Sequence, residues 1–311
     1  MKLTIVIPCY NEELVLNETT KQLSLLLDRL IKAKKISTCE ILYIDDGSKD
    51  NTWSIIKEQS LLNSYVHGIK LAHNVGHQNA LWAGYNHTAI SSGDFIVSMD
   101  ADLQHDINAI EQMIDRYKEG YEVVFGIRKN RITDGWFKKK TALSFYSIMQ
   151  WLGVDIIPNH ADFRGLSSRA LKILTSYPER NIFIRGLVRT IGLKSTEVYF
   201  DVNERFAGES KYTLSKMLNF AIDGITSFSI RPLRIITLLG VISVVISGAE
   251  MVYALVVHAM GKTIVGWTSL LVSIWFLGGL ILICLGIIGE YIGKIYKEVK
   301  RRPIFIVETV V

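Results

Sequence analysis

Phe95 to Asp106 reads FIVSMDADLQHD, and the fold turns on how this stretch is taken. Phe95 to Met99 is a short apolar run of the kind a buried parallel strand carries, and it passes without a break into Asp100-Ala101-Asp102. Carboxylates at i and i+2 on an extended chain point to the same side, so both can face one cation or one polar ligand. A hard divalent ion, Mg²⁺ or Mn²⁺, bound through oxygens and bridging to phosphates, suits such a pair. The same two residues would also serve to end a strand and cap a helix beginning near Asp106.

On either side of this stretch, strand-like and helix-like runs alternate. Leu3 to Ile7 is a β-branched apolar run closed by Pro8, and Asn11 can cap a helix that sets Leu16, Leu23, Leu26, Leu27 and Leu30 on one face. Glu40 to Ile44 reads as a second strand and Tyr65 to Leu71 as a third, followed by a helix over His77 to Ile90. After the Phe95 to Met99 strand come a helix from Ile107 to Lys118 and a strand from Glu122 to Phe125. This alternation predicts an α/β fold with a mostly parallel sheet, whose ligands gather at the carboxyl ends of the strands. Pro8 to Glu12, Asp45-Asp46-Gly47-Ser48 and Asp100 to Gln104 each follow a strand, so they should converge on one crevice. That convergence favours a binding site over a simple cap. No G-x-G-x-x-G follows the first strand, which argues against a dinucleotide fold; Gly261-Lys262-Thr263 fails as a P-loop because Val256 stands where the loop requires glycine.

Composition divides the chain in two. Apolar residues make up 49% of the 311, but up to about Ser229 they are mixed with charge, whereas Leu233 to Ile288 is overwhelmingly apolar. Ile235 to Val257 and Trp267 to Ile288 are each about 22 residues long, enough to cross a hydrocarbon core of about 30 Å. Arg231, Arg234 and the tail Lys294, Lys297, Lys300, Arg301 and Arg302 fall on one side of these spans. Positive charge there keeps both ends cytoplasmic. The net charge of +5 is too mild to argue for nucleic acid but suits an anionic membrane face. Cys9, Cys39 and Cys284 have no metal spacing and fit a reducing compartment, and the N-terminal apolar run is too short for a signal peptide. Glu250 inside the first span is costly in lipid, and Gly286, Gly289 and Gly293 favour close helix packing within the pair or between subunits. Pro303 to Val311 reads as a strand that either returns to the soluble domain or joins a neighbouring chain.

The basic segment Arg128-Lys129-Asn130-Arg131 follows the strand ending at Phe125, and two guanidiniums three apart suit a phosphate. It runs through Trp136 to Lys140 into an aromatic, apolar helix near 137–152, which reads as interfacial, as does Thr213 to Phe228.

Ile5-Val6-Ile7-Pro8 with Tyr10-Asn11-Glu12, Asp45-Asp46-Gly47-Ser48, Asn74-Val75-Gly76 and Asp100-Ala101-Asp102-Leu103-Gln104-His105 together resemble the GT-A glycosyltransferases of family 2. Asp162-Phe163-Arg164, Arg205-x-x-Gly208-x-Ser210-Lys211 and the two apolar spans resemble the polyprenyl-phosphate group within it. That group includes dolichol-phosphate mannose synthase and the bactoprenol glucosyltransferases. The Q-x-x-R-W signature of processive synthases is absent. The resemblance implies a cytoplasmic GT-A domain over 1–229, a two-helix anchor over 230–292 and a cytoplasmic basic tail and strand over 293–311. It implies an integral protein of the cytoplasmic membrane that moves a single sugar, with inversion, from a nucleotide donor to a polyprenyl phosphate. Glucose from UDP-glucose is the preferred donor; N-acetylhexosamine, galactose, mannose and aminoarabinose fit the same skeleton. A non-catalytic lipid-phosphate scaffold is the competing class.

By the same resemblance, Asp102 and Gln104 hold Mg²⁺ or Mn²⁺, with Asp100 on the metal or the ribose. Pro8, Tyr10, Glu12, Asp45 and Asp46 frame the nucleotide, and Arg128, Arg131 and Arg164 meet the acceptor phosphate. Asp162 stands beside the acceptor, and Arg205 and Lys211 reach over the donor diphosphate from a loop that Gly208 lets close. A homo-oligomer, a downstream flippase and a second glycosyltransferase complete the expected partners.

Overall fold

The computed structural model describes residues 1–91, 93–129, 151–153, 157, 160–203, 222, 224–260 and 266–311. Eight strands form one sheet in the order β7-β5-β6-β4-β1-β2-β3-β8. They are β1 (Lys2–Cys9), β2 (Thr38–Asp45), β3 (Val66–Leu71), β4 (Phe95–Ser98), β5 (Val123–Arg128), β6 (His160–Ser167), β7 (Ser195–Phe200) and β8 (Val307–Val310). β1 pairs in parallel with both β2 and β4, β2 with β3, and β5 with β7, while β6 and β8 run antiparallel to their neighbours. The predicted mostly parallel α/β sheet is therefore present, and it is the architecture expected of the GT-A class.

Alternation along the central strands explains the layers. Leu3, Ile5 and Ile7 of β1, with Ile41 and Tyr43 of β2 and Phe95 and Val97 of β4, face one core. That core takes in α1 (Leu16–Lys32), α2 (Thr52–Leu62) and α4 (Ala109–Lys118). Val6, Leu42, Ile44 and Ile96 face the other core, under α3 (His77–Ser91), α5 (Ser168–Thr175) and α6 (Ile184–Thr190). Side chains that alternate with period two and are buried on both faces are what a doubly covered sheet requires.

β6 carries Asp162, Arg164 and Gly165, so its sequence offers no apolar run, yet it lies between β4 and β5 with Val97 opposite Gly165. A Cβ at Gly165 would meet the Phe95 ring at 2.2 Å, so only glycine lets that ring lie across the strand. Asn11, expected as a cap, instead has φ 53° and accepts from Lys49 N at 2.9 Å; the helix starts only at Leu16, after a turn held by Glu12 O.

After the sheet come α7 (Arg231–Ala259) and α8 (Trp267–Lys300), both long and apolar enough to cross a membrane. Two long apolar helices stand where the anchor was expected over 230–292, but α8 continues as helix to Lys300, through residues expected as a tail from 293. Among the described residues, no atom beyond the helix's own backbone and chain neighbours lies within 4 Å of a Cβ at Gly286, Gly289 or Gly293. The Glu250 side chain lies outside the described residues, as do most of 137–152 and 213–228; residues 222 and 224–228 are helical. Of the two fates open to the C-terminal strand, the structure takes the first: β8 pairs with β3 of its own chain, and Gly68 and Val311 exchange backbone hydrogen bonds at 2.9 Å.

Candidate active site

β1 and β4 are neighbours, and the chain leaves β1 to opposite sides for β2 and β4, which makes their carboxyl ends a topological switch point. The three clusters predicted to converge end β1, β2 and β4 on that edge.

The lip formed by β1 and β2 is built from short polar ties. Asn11 N donates to Ser48 Oγ at 3.0 Å and Glu12 N to Thr52 Oγ1 at 2.9 Å, locking the Tyr10 to Glu12 loop onto the next one. Asp45 is fully buried; its Oδ1 accepts from Ser48 N at 3.2 Å, and its Oδ2 has no hydrogen-bond partner among the described residues. Burial pushes its carboxyl up. Asp46, expected at the nucleotide, accepts from Val75 N at 2.7 Å and Gly76 N at 2.9 Å, so both oxygens organise the Asn74-Val75-Gly76 loop.

β4 ends at Ser98, one residue earlier than expected, and Asp100 to Leu103 form a turn in which Leu103 has φ 58°. The two carboxylates are therefore carried by a turn rather than an extended chain. The reason is local: Thr19 Oγ1 holds Ala101 O at 2.8 Å, and Gln104 N donates to Asp102 Oδ1 at 3.1 Å. Asn203 N also donates to Gln104 O at 3.0 Å, which sets Asn203 beside the turn. Arg205 and Lys211 themselves lie outside the described residues, as does Arg131. Asp102 is 6% exposed.

Asp100 faces two imidazoles. His77 Nε2 is 3.5 Å from its Oδ1 and His105 Nε2 is 3.6 Å from its Oδ2. The His105 ring stacks on Phe163 at 5.0 Å and meets Phe200 edge-on at 5.3 Å, and burial lowers its pKa against the pull of Asp100.

The opposite lip is β6. The Asp162 carboxylate accepts from Arg164 and takes a two-pronged contact from Arg185 of α6, Nε to Oδ1 at 3.2 Å and Nη2 to Oδ2 at 2.8 Å. His77 Nε2 lies 3.9 Å from Asp162 Oδ2, so one imidazole stands between Asp100 and Asp162. Burial alone would raise the Asp162 carboxyl, but Arg185 and Arg164 outweigh it and hold it well below the usual carboxylate range. Arg164, expected at the acceptor phosphate, has no exposed surface and sits behind Asp162 as its buried partner; the guanidinium with exposed surface is that of Arg185. Arg128 closes β5, its Nε buried without a partner among the described residues. His77, His105 and Arg185 are thus parts of the site to which sequence reasoning gave no role. For Arg185 the available signal is a lone cation inside the apolar run of Ile182 to Val188.

Among the described residues no three of His, Cys, Asp and Glu gather at metal-binding distance. The expected ligand set of Asp100, Asp102 and the Gln104 amide oxygen nevertheless fits a hard divalent ion. Such ions take one or two protein carboxylates and complete their shell with substrate phosphates and water.

Asp45, Asp46, Asp100 and Asp102 on one side and the Asp162–Arg164–Arg185 cluster on the other thus meet at the switch point of a mostly parallel sheet, the place where open α/β folds bind their ligands. The family model described as glycosyl transferase family 2 matches residues 4–175. The chain is 52% identical over 307 residues to an uncharacterised glycosyltransferase of Bacillus subtilis, YkoT, covering 98% of this chain and 91% of that protein. It is 39% identical over 312 residues to the SfII prophage-derived bactoprenol glucosyl transferase of Shigella flexneri, covering 99% of this chain and 98% of that one. Among solved structures, glucosyl-3-phosphoglycerate synthase of Mycobacterium tuberculosis, in complex with Mn²⁺, UDP-glucose and phosphoglyceric acid, aligns with a TM-score of 0.43 at 17% identity, over 72% of this chain and 77% of that one. The chain belongs to glycosyl transferase family 2 and is a glycosyltransferase.

Proposed function

We propose that this protein transfers one glucose from UDP-glucose to a polyprenyl phosphate at the cytoplasmic face of the membrane. The observation that carries this reading is the end-to-end similarity to the Shigella bactoprenol glucosyl transferase, which extends through both apolar helices. Asp45, with a buried unpartnered oxygen, and the Pro8, Tyr10 and Glu12 loop hold the nucleotide. Asp102, Gln104 and Asp100 would hold Mg²⁺ or Mn²⁺, which when bound neutralises charge on the departing diphosphate. Arg205 and Lys211 meet the same diphosphate. Arg128 and Arg131 receive the lipid phosphate as it is lowered from the anchor.

An oxygen of the lipid phosphate attacks the anomeric carbon on the face opposite the leaving group. The new bond joins that oxygen to the sugar, the bond to the diphosphate breaks with its electron pair, and UDP leaves. A phosphate acceptor is already anionic at neutral pH and needs no general base. That agrees with an Asp162 held ionised by two guanidiniums, whose task is to orient Arg185 and His77 rather than to take a proton. In-line attack inverts the centre, so an α-linked donor gives a β-linked lipid product.

A panel of radiolabelled nucleotide sugars offered to membranes expressing the protein, with extraction of the lipid fraction, tests the donor. Label should enter lipid from UDP-glucose and be lost with Asp102→Asn. Label from another sugar would overturn the glucose assignment, and full activity in Asp102→Asn would overturn the metal assignment.

A further inference from the structure

α8 does not end with its apolar stretch. Charge begins at Glu290, yet the helix continues to Lys300 and lies against the sheet domain along a single face. Tyr291, Lys294 and Glu298 recur at i, i+3 and i+7, the spacing that stacks side chains on one side of a helix. Tyr291 OH donates to Ser229 O at 2.6 Å, and the Nζ of Lys294, a residue 8% exposed, donates to Ser227 Oγ at 3.2 Å. Asn181 Nδ2 donates to the same Ser227 Oγ at 2.5 Å.

Glu298 makes the strongest of these contacts. Its carboxylate accepts from Arg180 N with both oxygens at 2.9 Å and from Asn181 N at 2.7 Å. Hydrogen bonds to a charged acceptor are stronger than neutral ones, and here they fix backbone rather than a mobile side chain. The fixed backbone is short and held at both ends. Ile182, Phe183 and Ile184 are buried, Phe183 packs on Phe228 at 5.6 Å, and Ile184 N donates to Gln78 Oε1 at 3.0 Å. The next residue is Arg185, whose guanidinium grips Asp162, and the residue before Gln78 is His77, which faces both Asp100 and Asp162. Residues 180–185 therefore run from the extension of an apolar, span-length helix at one end to the catalytic crevice at the other.

We propose that Glu298 is a positioning residue for sugar transfer: it fixes the 180–185 segment so that Arg185 and Asp162 hold the geometry the acceptor phosphate meets. The proposal rests on the reading of this crevice as the site of transfer to a lipid phosphate. It gives the second apolar helix a part in catalysis beyond anchorage. Movement of α8 relative to the sheet domain is transmitted to Arg185 through main-chain bonds, whereas the nucleotide lip at β1 and β2 makes none of these contacts.

The test is a double-mutant cycle on the purified full-length protein, pairing Glu298→Ala with Arg185→Ala. Transfer is measured from UDP-glucose to polyprenyl phosphate in lipid vesicles, and hydrogen exchange is followed over residues 180–190. Glu298→Ala should lower kcat roughly tenfold to a hundredfold, the size expected for losing hydrogen bonds to a charged group. The KM for the donor should change less than about twofold, and exchange should quicken through α6. In the Arg185→Ala background the Glu298→Ala effect should shrink to less than about twofold, because coupled residues do not add. Glu298→Gln, which keeps one acceptor oxygen, should fall between, and it replaces Glu298→Ala in the cycle if that variant does not fold. Additive losses, an equal rise in donor KM, or unchanged exchange in α6 would overturn the proposal. A wild-type protein that transfers no sugar to lipid would instead sink the functional reading, while the exchange data would still decide whether Glu298 fixes α6.

Discussion

Asp162 is the residue on which the β6 lip of the crevice depends, and its electrostatics set what pH can do there. Its folded pKa is depressed by Arg185 and Arg164, so the stability it contributes is present above the unfolded carboxyl value of about 3.9. That stability is lost only as pH falls through the still lower folded value. Between pH 5 and 9 Asp162 therefore does not titrate, and the acid limb of a pH–rate profile should not belong to it. Asp162→Asn leaves two guanidiniums without their counter-charge. Breaking a buried pair in this way costs about 3–5 kcal/mol, so thermal melts should show a large loss together with loss of turnover. A variant that melts like the wild type would mean that the cluster is not the structural unit described. This network was invisible in the sequence because its members come from α3, the turn after β4, β6 and α6. By contrast, the DADLQH run and the Asp45 cluster were legible, since each follows a strand that its own apolar run announces.

At the scale of elements the same distinction holds. β1, β2, β4 and β5 were legible because their buried runs are continuous, β3 because its apolar residues stand close together, and α1 because its leucines recur on one face. β6 was not, since HADFRGLS spends its positions on the site: Asp162 and Arg164 carry charge into the sheet, and Gly165 makes room for Phe95. Gly165→Ala should therefore cost about 1–3 kcal/mol, the usual penalty of overpacking a filled core, and Phe95→Leu should relieve part of it. Equal denaturation midpoints for wild type and Gly165→Ala would show that the ring moves aside freely. Asn11 failed as a cap for a related reason: its left-handed backbone and its bond to Lys49 N serve the crevice rather than the helix.

Across the whole molecule, the chain leaves the sheet domain at Arg231, forms two helices long enough to span a bilayer, and comes back to add β8 beside β3. A return strand and the Glu298 contacts tie the second helix to the sheet domain at two separate places. The sequence foretold two long apolar helices and a C-terminal strand, but not which chain the strand would join, because pairing partners are set by register and not by apolar content. The arrangement suits the proposed transfer from a soluble donor to an acceptor delivered by a membrane.

The most direct test is the product made by the purified full-length protein in vesicles holding polyprenyl phosphate, supplied with UDP-glucose and Mg²⁺ or Mn²⁺. A single glucose joined to the lipid phosphate in β configuration is expected, seen by mass spectrometry and by the anomeric coupling in NMR. An α-linked product, a lipid bearing several sugars, or free glucose with no lipid product would contradict it.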